Sequence, residues 1–398
     1  LKSLKEKIQA LAKDYLPDTI ANRRYLHAHP EPSFEEFNTS KFVQRHLEQL
    51  GIPFEIKATT GVIGLLKGNK PSVEVIALRG DMDALPILEK NLVDYASQNQ
   101  GFMHACGHDA HTASLLTAAR ILSQLKNDFG GTVKFIFQPG EEKVPGGASL
   151  LIKEGVLENP APTHVLGQHV ATQIPAGKVG FRSGKYMASA DELFLHVNGK
   201  GGHGAMPDMN IDPVLIASHI IIALQQIVSR NANPKMPTVL SFGKVIAEGA
   251  TNVIPDQVYI EGTFRTFDET WRADALKRMK KMAEMIAEGM GGSCDFEIRN
   301  GYPFLVNDAN LTEKLRVEAE NYLGKENVLD LELWMASEDF AYYSQQKSSC
   351  FYRLGTRNEE KGITSSVHTP TFNIDEEALE IGPGLMSFLA LRQLGNLD

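Results

Sequence analysis

Three short apolar runs in this chain each end on residues able to hold a metal ion. Val73-Glu-Val-Ile-Ala-Leu leads into Asp81 and Asp83, Val133-Lys-Phe-Ile-Phe into Glu141 and Glu142, and Val165-Leu-Gly into His169. Helical segments, Thr112 to Leu125 and Gly147 to Lys153, alternate with these runs. The rhythm predicts an α/β fold with a mostly parallel central sheet flanked by helices. In open sheets of this kind the loops at the carboxyl ends of the strands converge on one crevice, so residues distant in sequence would meet there.

The densest ligand cluster lies between Met103 and Thr112, which reads Met-His-Ala-Cys-Gly-His-Asp-Ala-His-Thr. Imidazole, thiolate and carboxylate are the side chains that hold a borderline divalent ion. The competing reading is a solvated helix start, with His104, His108 and His111 on one face and Cys106 as a small buried hydrophobe. Glu141, Glu142, His169 and His368 downstream favour the metal site.

A length of 398 residues predicts two domains. The formal charge of -9, without a dense basic run, argues against a nucleic-acid or anionic-membrane surface and for a small-molecule or peptide substrate. Cys106, Cys294 and Cys350 are an odd, scattered set that suits a reducing compartment, so a cytoplasmic location is expected. An export signal upstream of Leu1 is compatible with the same residues. No run of about 18 consecutive apolar residues is present, so no membrane-spanning helix is predicted.

Leu4, Ile8, Leu11 and Tyr15 recur at helical spacing ahead of Pro17, and Ser33 with Glu36 reads as a capping box opening a second helix that closes at Gly51. From Met187 the pattern changes. Leu193, Leu195 and Val197 alternate as a strand, and Val214, Ala217, Ile221, Leu224 and Val228 form a helical stripe. Strands follow at Val239 to Ala247 and Val258 to Phe267, then a helix from Thr270 to Ala287 and a strand around Cys294, Phe296 and Ile298. This βαββαβ order predicts a ferredoxin-like α+β domain, residues 187–301, inserted into a catalytic domain made of residues 1–186 and 302–398. The joins near Ile174 to Gly184 and Gly301 to Pro303 read equally well as hinges or as ordinary turns.

Cys106, His108, Glu142, His169 and His368 are five candidate ligands, more than one tetrahedral catalytic zinc requires, so two divalent ions are expected. Ions roughly 3.5 to 4 Å apart can activate water and clamp both oxygens of a tetrahedral intermediate. A bridge must come from Cys106, a carboxylate or solvent, and Cys106 is preferred. Thiolate favours zinc, manganese ranks beside it on account of the hard carboxylates, and cobalt and nickel are compatible. Glu141 and Glu142, if extended, point opposite ways, so one can hold metal while the other faces water. Asp83 and Asp109 are expected to orient ligand imidazoles, whereas for Asp81 a turn cap is an equal reading. Gly199-Lys-Gly-Gly-His-Gly-Ala places His203 among glycines, either at a close backbone approach or in a flexible loop. Arg265 projects away from the apolar side of its strand and could clamp a carboxylate or simply be solvated.

Taken together, these stretches closely resemble the metal-dependent amidohydrolase and carboxypeptidase family that includes aminoacylases, hippurate hydrolases, N-acetyldiaminopimelate deacetylases and auxin-conjugate hydrolases. The match runs through Arg23-Arg-Tyr-Leu-His-Ala-His-Pro-Glu, Arg79-Gly-Asp-Met-Asp-Ala-Leu-Pro, His104-Ala-Cys-Gly-His-Asp-Ala-His and Phe137-Gln-Pro-Gly-Glu-Glu. It continues through Gly201-Gly-His-Gly-Ala, Asn252-Val-Ile-Pro, Gly262-Thr-Phe-Arg-Thr-Phe, Ser337-Glu-Asp-Phe and His368-Thr-Pro. The resemblance implies metal ligands at Cys106, His108, Glu142, His169 and His368, with Glu141 as general base. It also implies substrate contacts from Asn252 and Arg265, a homodimer formed through the inserted lid, and a role for His203 in the partner subunit's site. Gly140 stands where the family commonly has Ala, a departure expected to matter little, and Asp208 where this branch often has His. His104, His111 and His164 are left as structural.

The expected reaction is hydrolysis of N-acyl amino acids bearing a free α-carboxylate by metal-activated water, with Glu141 moving the proton. A metallo-carboxypeptidase or dipeptidase is the alternative enzyme. A catalytically silent metal-binding interaction protein is the alternative of another class.

Overall fold

The computed structural model describes residues 3–395, which form two compact units. One comprises Met187–Leu305 together with Leu333–Glu338, and the other holds the remaining described residues. The excursion over 333–338 has no counterpart in the sequence reading, which assigns the insert to 187–301 alone. Residues 1–2 and 396–398 of the expected catalytic domain lie outside the described residues.

The larger unit is built on an eight-stranded sheet. In order across it lie Phe54–Lys57, Gly61–Lys67, Gly130–Gln138, Lys70–Asp81, His164–Pro175, Ser348–Arg357, Val179–Phe181 and Val328–Asp330. The four central strands from Gly130–Gln138 to Ser348–Arg357 pair in parallel. The pairings outside them are antiparallel, except that of Val179–Phe181 with Val328–Asp330. The sheet is therefore mixed, and the mostly parallel expectation holds at its centre. The flank departs from it for a simple reason: only residues 58–60 join Phe54–Lys57 to Gly61–Lys67. Ala58 and Thr59 take φ of +49° and +72° there, a hairpin turn too short for a parallel crossover.

Buried side chains of the central strands, such as Ile76, Leu78, Val133, Phe135 and Leu166, share one core with residues of Leu4–Ala28, His108–Gln124 and Ala378–Gln393. The first helix does not stop ahead of Pro17 but continues to Ala28. An internal proline costs a helix about 3 kcal/mol. Here the second half is anchored by buried Thr19, Arg23, Leu26 and His27, which offsets that cost. The second helix, Phe37–Gln49, lacks the expected capping box, since Glu36 makes no side-chain cap bond. Glu31 takes that role, accepting from the backbone N–H groups of Asn38 and Thr39 at 2.9 and 2.8 Å. Ser33 and Glu36 are engaged elsewhere, as described below.

The second unit has the ferredoxin-like architecture. Its antiparallel sheet runs Val239–Ile246, Gln257–Arg265, Asp191–Asn198, Ser293–Asn300, and the helices Pro213–Gln226 and Glu269–Gly289 complete its core. Among the described residues, the helix Pro213–Asn231 alone is long and apolar enough, by length and composition, to cross a membrane. Its Ile216, Ala217, Ile220, Leu224 and Ile227 are buried against the strands of this unit, as in the core helix of a folded domain.

Candidate metal centre

The candidate ligands of the larger unit come from a helix start, the end of a strand, a strand interior and a loop. Cys106 and His108 flank Gly107, whose φ is +87° and whose missing Cβ would stand 2.5 Å from Val170 Cγ2, so only glycine lets the chain turn here. Gly107 caps the helix His108–Gln124, which begins a turn earlier than the apolar spacing from Thr112 indicates. His169 lies within the strand His164–Pro175, and Glu141 and Glu142 follow Gly130–Gln138. His368 is in the loop before Ala378–Gln393, in the left-handed region at φ +60°. Its N–H donates to Ala105 O at 2.8 Å, tying that loop to the Cys106 segment.

These residues meet. Cys106 Sγ is 3.4 Å from His169 Nε2. Cys106, His108 and His169 form one set with ligand atoms within 4.8 Å of one another; Cys106, Glu142 and His368 form a second, and His108, Glu141 and Glu142 a third. Cys106 is common to the first two sets. His108 donates from Nδ1 to the backbone and carboxylate oxygens of Asp83 at 2.9 and 3.2 Å, and His169 from Nδ1 to Val170 O at 2.7 Å. Both rings thus keep Nε2 free for the cluster.

This donor set fits a divalent cation. Buried polar atoms are normally hydrogen-bonded, yet His108 Nε2 and Glu142 Oε1 are buried without a hydrogen-bond partner. Glu142 Oε1 lies 3.1 Å from His368 Nε2, another member of the set. Burial, reinforced by the charge of Glu142, pushes the Cys106 thiol above its ordinary pKa; a bound cation reverses that tendency. Burial and nearby Arg353 hold His169 well below the usual range and keep it neutral, the form that ligates metal. At His108 burial acts in the same sense, but Asp81 and Asp83 outweigh it and favour the proton.

The Glu141-Glu142 segment is a bend rather than an extended strand. The expectation that the two carboxylates diverge is therefore corrected: both converge on His108. Glu141 is 6% exposed and accepts the Asp339 N–H at 3.3 Å. The Glu142 N–H donates to Asp83 Oδ2 at 2.9 Å, and Ser33 Oγ donates to that same oxygen at 2.6 Å. Asp83 thus orients His108 and holds the glutamate loop together.

Asp109 behaves differently from its expected role. Its Oδ2 accepts from Arg23 Nε at 2.7 Å and His27 Nδ1 at 2.8 Å, so it steadies the start of its helix against the first helix and orients no candidate ligand. Asp81 is not a turn cap; it pairs with Arg79 Nη1 at 2.6 Å and accepts from His111 Nδ1 at 2.6 Å. His111 Nε2 in turn accepts the Val170 N–H at 2.9 Å, so both its ring nitrogens are committed to the scaffold.

Sequence reasoning gave no role to Arg79 or Asp339, and to Glu36 only that of a helix cap. Asp339 accepts from Arg79, from Gln138 and from the Ala148 N–H, each bond between 2.8 and 2.9 Å, and so fixes the segment whose N–H reaches Glu141. Arg79 and Asp339 stood inside quoted motifs, the one signal that could have marked them.

In the second unit, His203 is exposed in a two-residue strand that pairs antiparallel with Val253–Ile254, and its Nδ1 accepts the Ala205 N–H at 3.1 Å. Asn252 directly precedes the paired Val253, and its carbonyl accepts the Gly204 N–H at 2.9 Å. Arg265 ends its strand half-buried, donating to Thr263 Oγ1 at 3.1 Å and Ser337 Oγ at 3.3 Å, and burial lowers its pKa. It forms no ion pair among the described residues.

Comparison with known proteins gives consistent matches. The model described as peptidase family M20/M25/M40 matches residues 77–392. An N-acyl-L-amino acid amidohydrolase of Geobacillus stearothermophilus is 44% identical over 304 residues, 76% of this chain and 81% of that one. Thermostable carboxypeptidase 2 of Saccharolobus solfataricus is 36% identical, covering 98% of each chain. A Bacillus subtilis protein of known structure, described as a dinuclear metal-binding peptidase from the M20 family, superposes with a TM-score of 0.82 at 36% identity, covering 97% of this chain and 100% of that one.

Proposed function

Because this chain belongs to the M20/M25/M40 peptidase family and is a hydrolytic enzyme, we propose that it cleaves the amide bond of N-acyl amino acids bearing a free α-carboxylate. Two divalent ions, zinc or manganese, would be held by Cys106, His108, Glu142, His169 and His368. The sharing of Cys106 between two ligand sets supports this assignment, as does the dinuclear character of the Bacillus subtilis relative. The name of the Geobacillus relative supports the substrate class. That of the Saccharolobus relative supports a second reading, a carboxypeptidase or dipeptidase, which uses the same chemistry on a different acyl group.

When bound, such ions polarise the scissile carbonyl and lower the pKa of water. The remaining work belongs to the chain. The observation that carries the reading is the Glu141 carboxylate, buried, held by the Asp339 N–H, and not needed among the five ligands. Glu141 is assigned as general base, taking a proton from the attacking water and delivering it to the leaving amine. Arg265, with an unspent charge, is assigned to the substrate carboxylate, Asn252 to substrate binding, and His203 to the oxyanion of the partner's site.

A homodimer through the lid is part of the same proposal. The edge strand Val239–Ile246 presents exposed Val245 and Ile246, an edge that proteins seldom leave uncovered. The three cysteines are free and buried, which supports a reducing, cytoplasmic setting. The test of the mechanism is Glu141→Gln. Metal content should stay at the wild-type level while kcat falls by roughly 10²- to 10⁴-fold; a variant turning over at full speed removes Glu141 as the base.

A further inference from the structure

Glu36 carries a fully buried carboxylate that the mechanism above does not use. Its Oε1 accepts two backbone N–H bonds, from Phe34 at 2.9 Å and Gly140 at 2.8 Å, and its Oε2 accepts the Thr60 hydroxyl at 2.7 Å. Gly140 immediately precedes Glu141. Its carbonyl accepts the Gly147 N–H at 3.0 Å. On its Cα the Phe34 ring stands 2.3 Å from where a Cβ would be. The N–H, the carbonyl and the Cα face of Gly140 are therefore all fixed, and two of these three restraints pass through the segment 34–36.

Burial and the neighbouring Asp83 push Glu36 up to about 7. A buried carboxylate beside Asp83 is electrostatically unfavourable, and an apolar residue of similar size would avoid that penalty. What such a residue could not do is accept two N–H bonds on one oxygen and so join the loop before the second helix to the loop carrying Glu141. We infer that Glu36 is a positioning residue that sets the direction of the Glu141 side chain by fixing Gly140. The inference rests on the reading of Glu141 as the base. A carboxylate aimed a fraction of an ångström wrongly transfers protons poorly, so the effect falls on kcat rather than on substrate binding.

The experiment compares Glu36→Ala and Glu36→Gln with wild type, each metal-loaded. It measures kcat and KM on whichever N-acetyl amino acid the wild type cleaves, and amide hydrogen exchange in the peptide covering residues 139–143. Glu36→Ala should lower kcat about tenfold or more with KM nearly unchanged, and should speed exchange in that peptide by a similar factor. Glu36→Gln keeps an oxygen for both N–H groups and should remain within about threefold of wild type in both readouts.

Wild-type kcat and wild-type exchange in Glu36→Ala, whatever its melting temperature, would make Glu36 a packing residue and overturn the inference. An equal loss in Glu36→Gln would overturn it too, since the retained acceptor would then be irrelevant. If Glu36→Ala does not fold, Glu36→Asp serves in its place, keeping the charge but shortening the reach, with the same two outcomes. Glu141→Gln is assayed in parallel. Full activity there removes the base reading and leaves the hold on Gly140 to be judged by exchange; an inactive Glu141→Gln beside wild-type behaviour in the Glu36 variants removes the positioning role alone.

Discussion

At Gly140 the backbone takes φ +58° and the Phe34 ring fills the space of a side chain. The sequence reading treated glycine in place of the commoner alanine as a departure of little consequence. The structure makes Gly140 and Phe34 a matched pair. Gly140→Ala should destabilise the protein by about 2–3 kcal/mol, combining the left-handed backbone with overpacking against the ring. In a Phe34→Ala background the same change should cost only about 1 kcal/mol, and a double-mutant cycle by chemical denaturation reads the difference. Equal costs in the two backgrounds would show that the ring yields freely. Glu36 and Asp339 were illegible for a related reason. Their partners, Gly140 for one and Arg79, Gln138 and Ala148 for the other, are far away in the sequence, and a carboxylate that binds backbone N–H groups leaves no spacing to read. Cys106, His108, His169 and His368 were visible because imidazole and thiol side chains are scarce and their clustering is chemically specific.

At the scale of elements, the strands that alternate cleanly were legible. Leu193, Leu195 and Val197 gave Asp191–Asn198, and the other three strands of the four-stranded sheet and both α-helices of the inserted unit followed from the same periodicities. Ser348–Arg357, a central strand of the large sheet, was not seen. It is almost wholly buried on both faces, so it lacks alternation, and its Arg353 reads as polar although it is 1% exposed and bonded to the Tyr186 hydroxyl at 2.8 Å. The first helix runs through Pro17 because buried polar anchors beyond it, Arg23 above all, outweigh the proline. The strand Gln257–Arg265 carries a functional prediction. Arg265→Ala should leave metal content unchanged and lower kcat/KM about ten- to a hundredfold, mostly through KM, as expected for one lost charge-assisted contact. Lys should rescue only partly, because an ammonium lacks the planar fork. An amide-capped substrate should be handled alike by wild type and variant. Equal losses on free acid and capped amide would show that the carboxylate is held elsewhere.

For the whole molecule, the two-unit organisation was foreseeable from the switch between long helical segments and a βαββαβ run, but the return of 333–338 to the second unit was not. That segment has no periodicity of its own; its placement comes from contacts such as Arg265 with Ser337 and Ala188 with Trp334 and Ala336. Substrate class is the property the chain discloses least, because the walls of an acyl pocket are drawn from scattered residues, and amidohydrolases and carboxypeptidases both stand among its relatives. The central claim is metal-dependent hydrolysis of N-acyl amino acids, and the most direct measurement is turnover of metal-loaded protein on N-acetyl and N-benzoyl amino acids beside unblocked dipeptides, before and after chelation. The account predicts cleavage of the blocked amino acids, loss of that activity with chelator, and recovery on adding zinc or manganese. Protein holding two ions per chain that leaves every blocked amino acid intact, or that strongly prefers the unblocked dipeptides, would contradict it.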